Sequence, residues 1–191
     1  AIKNTAPALT LAALHSHDLF GDSVLLALPA DHKIKDQYLF GETILQALPV
    51  AISGGIVTFG IPPDRPETGY GYIKYEEGDC PAHSVKEFIE KPELKAAEAM
   101  IKTGEFLWNS GIFMMRSSTW VTQISRYQPD IFNACKEAYE NSDRDGNYLS
   151  PNRSKFLSCP SNSIDYAVME PTSSNRNDTT ENLVVPMNVG W

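Results

Sequence analysis

Ser23-Val24-Leu25-Leu26-Ala27-Leu28-Pro29-Ala30-Asp31-His32 is a continuous apolar run that ends on a proline and turns polar at once. A run without alternation is how a strand covered on both faces reads. The pattern upstream is helical. Thr5-Ala6-Pro7-Ala8 has the form of a helix start, with Thr5 as the cap and Pro7 in the first turn, where no backbone N–H is missed. Leu9, Ala12, Ala13 and Ser16 follow at helical spacing, and the helix is expected to fade over residues 15–18. Downstream, Phe40, Ile44, Ala47, Leu48 and Ala51 predict a second amphipathic helix that Pro49 bends or ends. Gly55-Ile56-Val57-Thr58-Phe59-Gly60-Ile61 reads as a second buried strand. Helix, strand, helix, strand predicts right-handed crossovers onto a mostly parallel sheet.

The rest of the chain is more mixed. Strands are expected over residues 70–75, 85–89, 113–116 and 183–186, with an acidic turn Glu76-Glu77-Gly78-Asp79 between the first two. Short helices are expected near Leu94, Ala97 and Ile101, along Trp120, Ile124 and Tyr127, and again after Pro129. Residues 141–152 read as loop, 165–169 as a helical turn and 173–182 as a mobile polar loop. The fold class is therefore α/β, a mixed, mostly parallel nucleotide-binding sheet with helices on both faces. One domain over residues 1–191 is expected, incomplete at both ends, because the chain starts on Ala1 and stops on Trp191 directly after a strand. The strand missing at the start would leave a sheet edge open, so a homo-oligomer is expected.

Bulk properties exclude several classes. The formal net charge is −8 and no long basic run occurs, which argues against nucleic acid or an anionic membrane as partner. No apolar stretch is long enough to span a bilayer and no secretory signal is present. Cys80, Cys135 and Cys159 are too scattered for a disulfide framework or a zinc site and read as apolar filler in a reducing, cytoplasmic compartment. His15 and His17, two apart on a helix, do not share a face and read as solvated polar residues.

Four segments carry chemistry. Asp31 follows the carboxyl end of a buried strand, where ligands bind in open α/β sheets; it can hold Mg²⁺ against phosphate oxygens, or cap the next helix. Pro62-Pro63-Asp64-Arg65-Pro66-Glu67-Thr68-Gly69-Tyr70-Gly71-Tyr72-Ile73 places two glycines around a tyrosine. That lets a backbone approach a sugar hydroxyl, or simply makes a turn. Phe88-Ile89-Glu90-Lys91-Pro92 ends a strand on an acid and a base. Neighbours on a strand point to opposite faces, so both reach one ligand only if Pro92 breaks the strand; otherwise they form a surface ion pair. Trp108-Asn109-Ser110-Gly111-Ile112-Phe113 offers an amide that donates and accepts, in an Asn-Ser-Gly turn after an aromatic that is either exposed or in the core.

In this order and wording the segments resemble the sugar-nucleotide pyrophosphorylases, most closely their mannose-1-phosphate guanylyltransferase branch. The resemblance runs from Lys3 to Trp191. It implies nucleotidyl transfer from GTP to mannose-1-phosphate, giving GDP-mannose and pyrophosphate, with Mg²⁺ as cofactor. By resemblance Asp31 is the metal ligand and a catalytic residue with Lys91, which meets the phosphate. Tyr70, Gly71, Glu90, Lys91 and Asn109 meet the sugar phosphate. Asn4, Thr5, Ala30 and Asp31 border the nucleotide. Asp165 helps position the sugar site or is structural. The family's Gly-rich triphosphate loop and a second metal-binding Asp have no counterpart between residues 1 and 191, so this stretch alone is expected to be inactive. Another base or hexose phosphate, or a non-catalytic binding relic, remain the alternatives.

Overall fold

A computed structural model describes residues 2–76, 81–146, 148–175 and 178–191, which fall into two compact units. Most of the expected acidic turn, with Cys80 and part of the polar 173–182 loop, lies outside the described residues.

The first unit, residues 1–23 and 117–171, is helical. It holds α1 (Thr5–Phe20), α4 (Ser117–Tyr127), α5 (Pro129–Glu140), α6 (Arg153–Leu157) and a π-helical turn at Asp165–Met169. Asn4, not Thr5, precedes α1: its Oδ1 accepts from the Thr5 N–H at 2.8 Å, and its φ is 68°. Asn tolerates that left-handed geometry better than most residues. The Thr5 hydroxyl instead accepts from the Ile164 N–H at 2.9 Å. α1 runs on past His15 to Phe20 and stops at Gly21, φ 73°. His15 and His17 do separate as expected, one beside the Tyr139 hydroxyl and the other beside Ser117. The unit's buried core includes Leu9, Ala13, Trp120, Ile124, Ile131 and Cys135. Trp120 Nε1 donates to Thr10 Oγ1 at 3.0 Å, which in turn donates to the Ala6 carbonyl at 2.8 Å, so the buried indole is satisfied. The stretch expected as a loop, 141–152, contains a small hairpin of β6 (Asp143–Asp145) and β7 (Tyr148–Ser150). Its strands carry a single aliphatic residue, Leu149, so no alternation announces them.

The second unit, residues 24–116 and 172–191, carries the sheet. Its strands are β1 (Val24–Ala27), β2 (Ile56–Ile61), β3 (Gly71–Glu76), β4 (His83–Glu90), β5 (Phe106–Arg116) and β8 (Asn182–Pro186). They follow the order β1-β5-β2-β8-β4-β3, and β3 also pairs with β5, so the last five close a ring. Helices α2 (Gln37–Ile52) and α3 (Leu94–Thr103) belong to this unit, and Pro49 sits inside α2 without ending it. Between the units the chain passes through α7 (Glu170–Ser174).

The class is α/β with a mixed sheet, as expected. The parallel share is smaller than expected: among the described pairings, β2 with β8 is parallel and the others in this sheet are antiparallel. β1 and β2 run in the same direction, but β5 lies between them, antiparallel to both. β1 is consequently an edge strand among the described residues, with Leu26 38% exposed rather than covered on both faces. β2 is buried at every position, and its centre packs with Tyr72, Trp108, Met114 and Val185.

β5 also corrects the expected Asn-Ser-Gly turn. The strand runs unbroken through that tripeptide and bulges there: Thr58 pairs with Phe113 and Gly60 with Asn109, so three residues of β5 oppose Phe59 alone. A bulge bends and twists its strand. That lets one strand pair with β3 at its start, β2 in its middle and β1 at its end.

Candidate active site

Of the site residues expected after Asn4 and Thr5, all but Asp165 fall in the second unit, at or beside the ends of β1, β3 and β4 and inside β5. Gly71 opens β3 and pairs with Glu90, which closes β4. A Cβ on Gly71 would meet Glu90 Oε2 at 2.5 Å and Asn109 Cβ at 3.2 Å. Glycine is needed here because the Glu90 carboxylate lies where a side chain would be.

Lys91 solves the problem of two neighbours on one strand. Its φ is 47°, a left-handed value rare for a non-glycine residue. The chain turns over at that residue, its N–H donates to the Tyr70 carbonyl at 3.2 Å, and Nζ comes back to within 3.3 Å of Glu90 Oε1. The Glu90 side chain is 11% exposed and that of Lys91 60%. The acid is thus held inside and the base stands at the mouth. The pair is neither an open surface ion pair nor a pair on opposite faces.

Asn109 sits at the start of the β5 bulge. Its Oδ1 accepts from the Gly111 N–H at 3.0 Å and from the Thr58 hydroxyl at 3.5 Å, which sets the orientation of the amide. Gly111 has φ 71° and Ser110 is buried, donating to the Phe59 carbonyl at 2.6 Å. Tyr70, Gly71, Glu90, Lys91 and Asn109 line one cavity of about 200 Å³, with His32 and Trp191 on its other side.

A second cavity of about 490 Å³ shares Tyr70, His32 and Trp191 and adds Asp31, Asp64 and Arg65. Asp31 is exposed in the turn after β1. It does not cap α2; that is done by Asp36, whose Oδ1 accepts from the Leu39 N–H at 2.9 Å. Arg65 lies over the Trp108 ring at 5.2 Å and is pinned by Asp64 at 3.0 Å and Glu67 at 3.1 Å. Its hydrogen bond to Glu67 pushes the already high guanidinium pKa further up. Trp108 is in the core, not exposed. The loop before β3 is braced by the buried Tyr72, whose hydroxyl accepts from the Glu67 N–H at 3.0 Å and donates to its carbonyl at 2.9 Å.

Ala30 stands beside Asp31 in the same turn. Asn4, Thr5 and Asp165 belong to the first unit, where Asn4 and Thr5 hold the start of α1 and Asp165 opens the π-helical turn, its carbonyl accepting from the Glu170 N–H. Among the described residues no cluster of three or more His, Cys, Asp or Glu could hold a metal, and no helix is long and apolar enough to cross a membrane. Sequence reasoning assigned Tyr70 to the site but missed the two tryptophans beside it. Tyr70 stands edge-on to both Trp108 and Trp191, each with ring centroids 5.3 Å away. Trp191 is far from the other two in sequence, and no sequence signal gave it a role.

Sheet, bulge and paired strand ends define an α/β domain with a polar cavity at Gly71, Glu90, Lys91 and Asn109. The nucleotidyl transferase family profile matches residues 1–154, and the chain belongs to that family. It is 43% identical over 196 residues to the mannose-1-phosphate guanylyltransferase of Escherichia coli (strain K12), covering 99% of this chain and 40% of that protein. It is likewise 43% identical to the xanthan biosynthesis protein XanB of Xanthomonas campestris, covering 39% of that protein. The chain thus spans about 40% of the length of these curated relatives. Among solved structures, a Helicobacter pylori mannose-6-phosphate isomerase superposes with a TM-score of 0.86 at 30% identity, over all of this chain and 71% of the other. A Thermus thermophilus protein described as a mannose-1-phosphate geranyltransferase gives 0.85 at 28% identity, over 52% of its chain.

Proposed function

We propose that the protein carrying this chain transfers a guanylyl group from GTP to mannose-1-phosphate, giving GDP-mannose and pyrophosphate. One observation carries the reading: residues from two strand ends and a bulge that share wording with the guanylyltransferases, Gly71, Glu90 with Lys91, and Asn109, line a single cavity. The sugar phosphate attacks the α-phosphorus in line and pyrophosphate leaves. Such chemistry asks a protein chiefly for positioning and charge neutralisation.

Glu90, held inside, accepts hydrogen bonds from vicinal sugar hydroxyls. Lys91, at the mouth, neutralises the 1-phosphate as a point charge. The Asn109 amide and the backbone at Gly71 orient the ring, with Tyr70 as wall. Asn4, Thr5 and Ala30 are assigned to the nucleotide. The donor set around Asp31 suits Mg²⁺: one exposed carboxylate fits an ion that keeps waters and takes its other oxygens from substrate phosphates. Bound there, the ion would offset charge on the phosphates. With GTP and sugar phosphates as substrates, the protein works in the cytoplasm.

The test is to supply the complete protein carrying this sequence with Mg²⁺, each of the four nucleoside triphosphates and several hexose 1-phosphates, and to follow pyrophosphate. GTP with mannose-1-phosphate should give the highest kcat/KM. A higher value for another pair would overturn the assignment of base or sugar, and no turnover with any pair would overturn the transfer itself.

A further inference from the structure

We propose that Trp191 is a positioning residue that acts on Asp31 through His32, an inference that rests on the nucleotidyl-transfer reading above. The Trp191 indole Nε1 donates to His32 Nδ1 at 2.8 Å. The two rings meet edge to face, centroids 5.1 Å apart at 86°. A ring nitrogen that accepts carries no hydrogen, so neutral His32 has its hydrogen on Nε2. One donor from the segment after β8 thus sets both the tautomer and the ring plane of the residue next to Asp31.

The same segment is tied by backbone to the same β1–α2 connection, just before α2. The Val189 carbonyl accepts from the Lys35 N–H at 3.1 Å and the Asp36 N–H at 3.0 Å. Gly190, φ 67°, lies so close that a Cβ there would meet the Lys35 side chain at 2.9 Å. A residue with a side chain would push the two segments apart. On its other side Trp191 meets the Tyr70 ring at 68°. One indole therefore spans from the wall of the sugar cavity to the turn that carries Asp31. Asp31 is exposed, so its place depends on the stiffness of that turn. The bond stiffens it, and tethers it to the residue the sugar is assigned to touch.

A direct sugar contact by Trp191 and an indirect role through His32 predict different kinetics. Trp191→Phe keeps an aromatic ring beside Tyr70 but has no N–H. In the complete protein we expect kcat to fall about tenfold, the KM for mannose-1-phosphate to stay within about twofold, and the unfolding midpoint to hold. The double variant Trp191→Phe, His32→Ala should be no worse than His32→Ala alone, since both changes remove one bond. A raised KM at unchanged kcat, or fully additive losses, would overturn the proposal. A second measurement needs no turnover. Long-range ¹H–¹⁵N spectra should show His32 as the Nε2–H tautomer, and the Ala30 and Asp31 amide resonances should move in Trp191→Phe. His32 in the Nδ1–H form, or unmoved Asp31 amides, would refute the strut even in an active enzyme. The expected spectra in a protein that transfers no guanylyl group would support the strut and count against the transfer reading alone.

Discussion

At Lys91 the backbone has been bent to serve a side chain. A left-handed φ costs an ordinary residue about 1–2 kcal/mol, and glycine almost nothing. Two substitutions therefore separate strain from charge. Lys91→Ala and Lys91→Gly should both lose about tenfold or more in kcat/KM for mannose-1-phosphate, as expected when a charge-assisted contact of roughly 1.5–3 kcal/mol is removed. Lys91→Gly should nonetheless be the more stable of the two by about 1 kcal/mol in urea unfolding. Equal stabilities would mean that φ 47° is not strained here; unchanged kinetics would remove Lys91 from the phosphate. Asp31 gives the opposite pattern. It caps no helix, since Asp36 does so, and Asp31→Asn should abolish turnover while leaving the melting temperature within about a degree. An active Asp31→Asn enzyme would end the metal assignment.

The bulge in β5 is the element on which the site depends. Without it the strand could not leave β3, cross β2 and reach β1. Ser110 holds it: a buried hydroxyl donates to the Phe59 carbonyl and accepts from the Ile112 N–H at 3.2 Å. Removing that one oxygen takes a hydrogen bond from a buried carbonyl and one from a buried N–H. Ser110→Ala should cost about 1–3 kcal/mol of stability, and because Asn109 is the next residue, the KM for mannose-1-phosphate should rise with it. A Ser110→Ala protein with wild-type stability would show that the bulge is held by strand pairing alone. The same logic explains why the tripeptide read as a turn. Asn-Ser-Gly suits a bulge as well as a turn, since several kinds of each place one residue at positive φ, here Gly111.

At the scale of the whole molecule the two units differ in what stabilises them. The second rests on a ring of strands around an apolar centre. The first packs helices around, among others, Cys135 and Cys159, both buried, with Sγ atoms 3.8 Å apart. Burial pushes both thiols up from their ordinary value, Cys135 most strongly. The folded-state pKa therefore lies above the unfolded one. Their contribution is fully present below the ordinary thiol pKa of about 8.5 and is lost as pH rises beyond it, because only the unfolded chain can then ionise them. The urea midpoint of the first unit's helices should fall between about pH 8 and pH 10, and the fall should shrink in Cys135→Ala. Equal slopes in both proteins would refute this origin. Neither thiol should react with an alkylating reagent until the unit unfolds.

Apolar periodicity and the helix–strand alternation, set by local spacing, placed α2, α3, α4, α5, β2, β3, β4 and β8 close to where they lie, and their order implied an α/β sheet. The motifs at Gly71 and at Glu90-Lys91 were readable too, because glycine beside an aromatic and an acid–base pair before proline each announce a backbone that turns; Asn-Ser-Gly read as a turn and is a bulge. Which strands are neighbours was not written locally. β5 inserted between β1 and β2 because hydrogen-bonded partners are chosen by the whole sheet, and no spacing within β1 reveals that its partner is β5. The short hairpin of β6 and β7, with Leu149 as its single aliphatic residue, left no alternation to read. Glu90 and Lys91 meeting one cavity, the choice of Asp36 over Asp31 as cap, and the Trp191–His32 bond between residues 159 positions apart were decided only in three dimensions. Each depends on a distance between segments that the chain must fold to bring together.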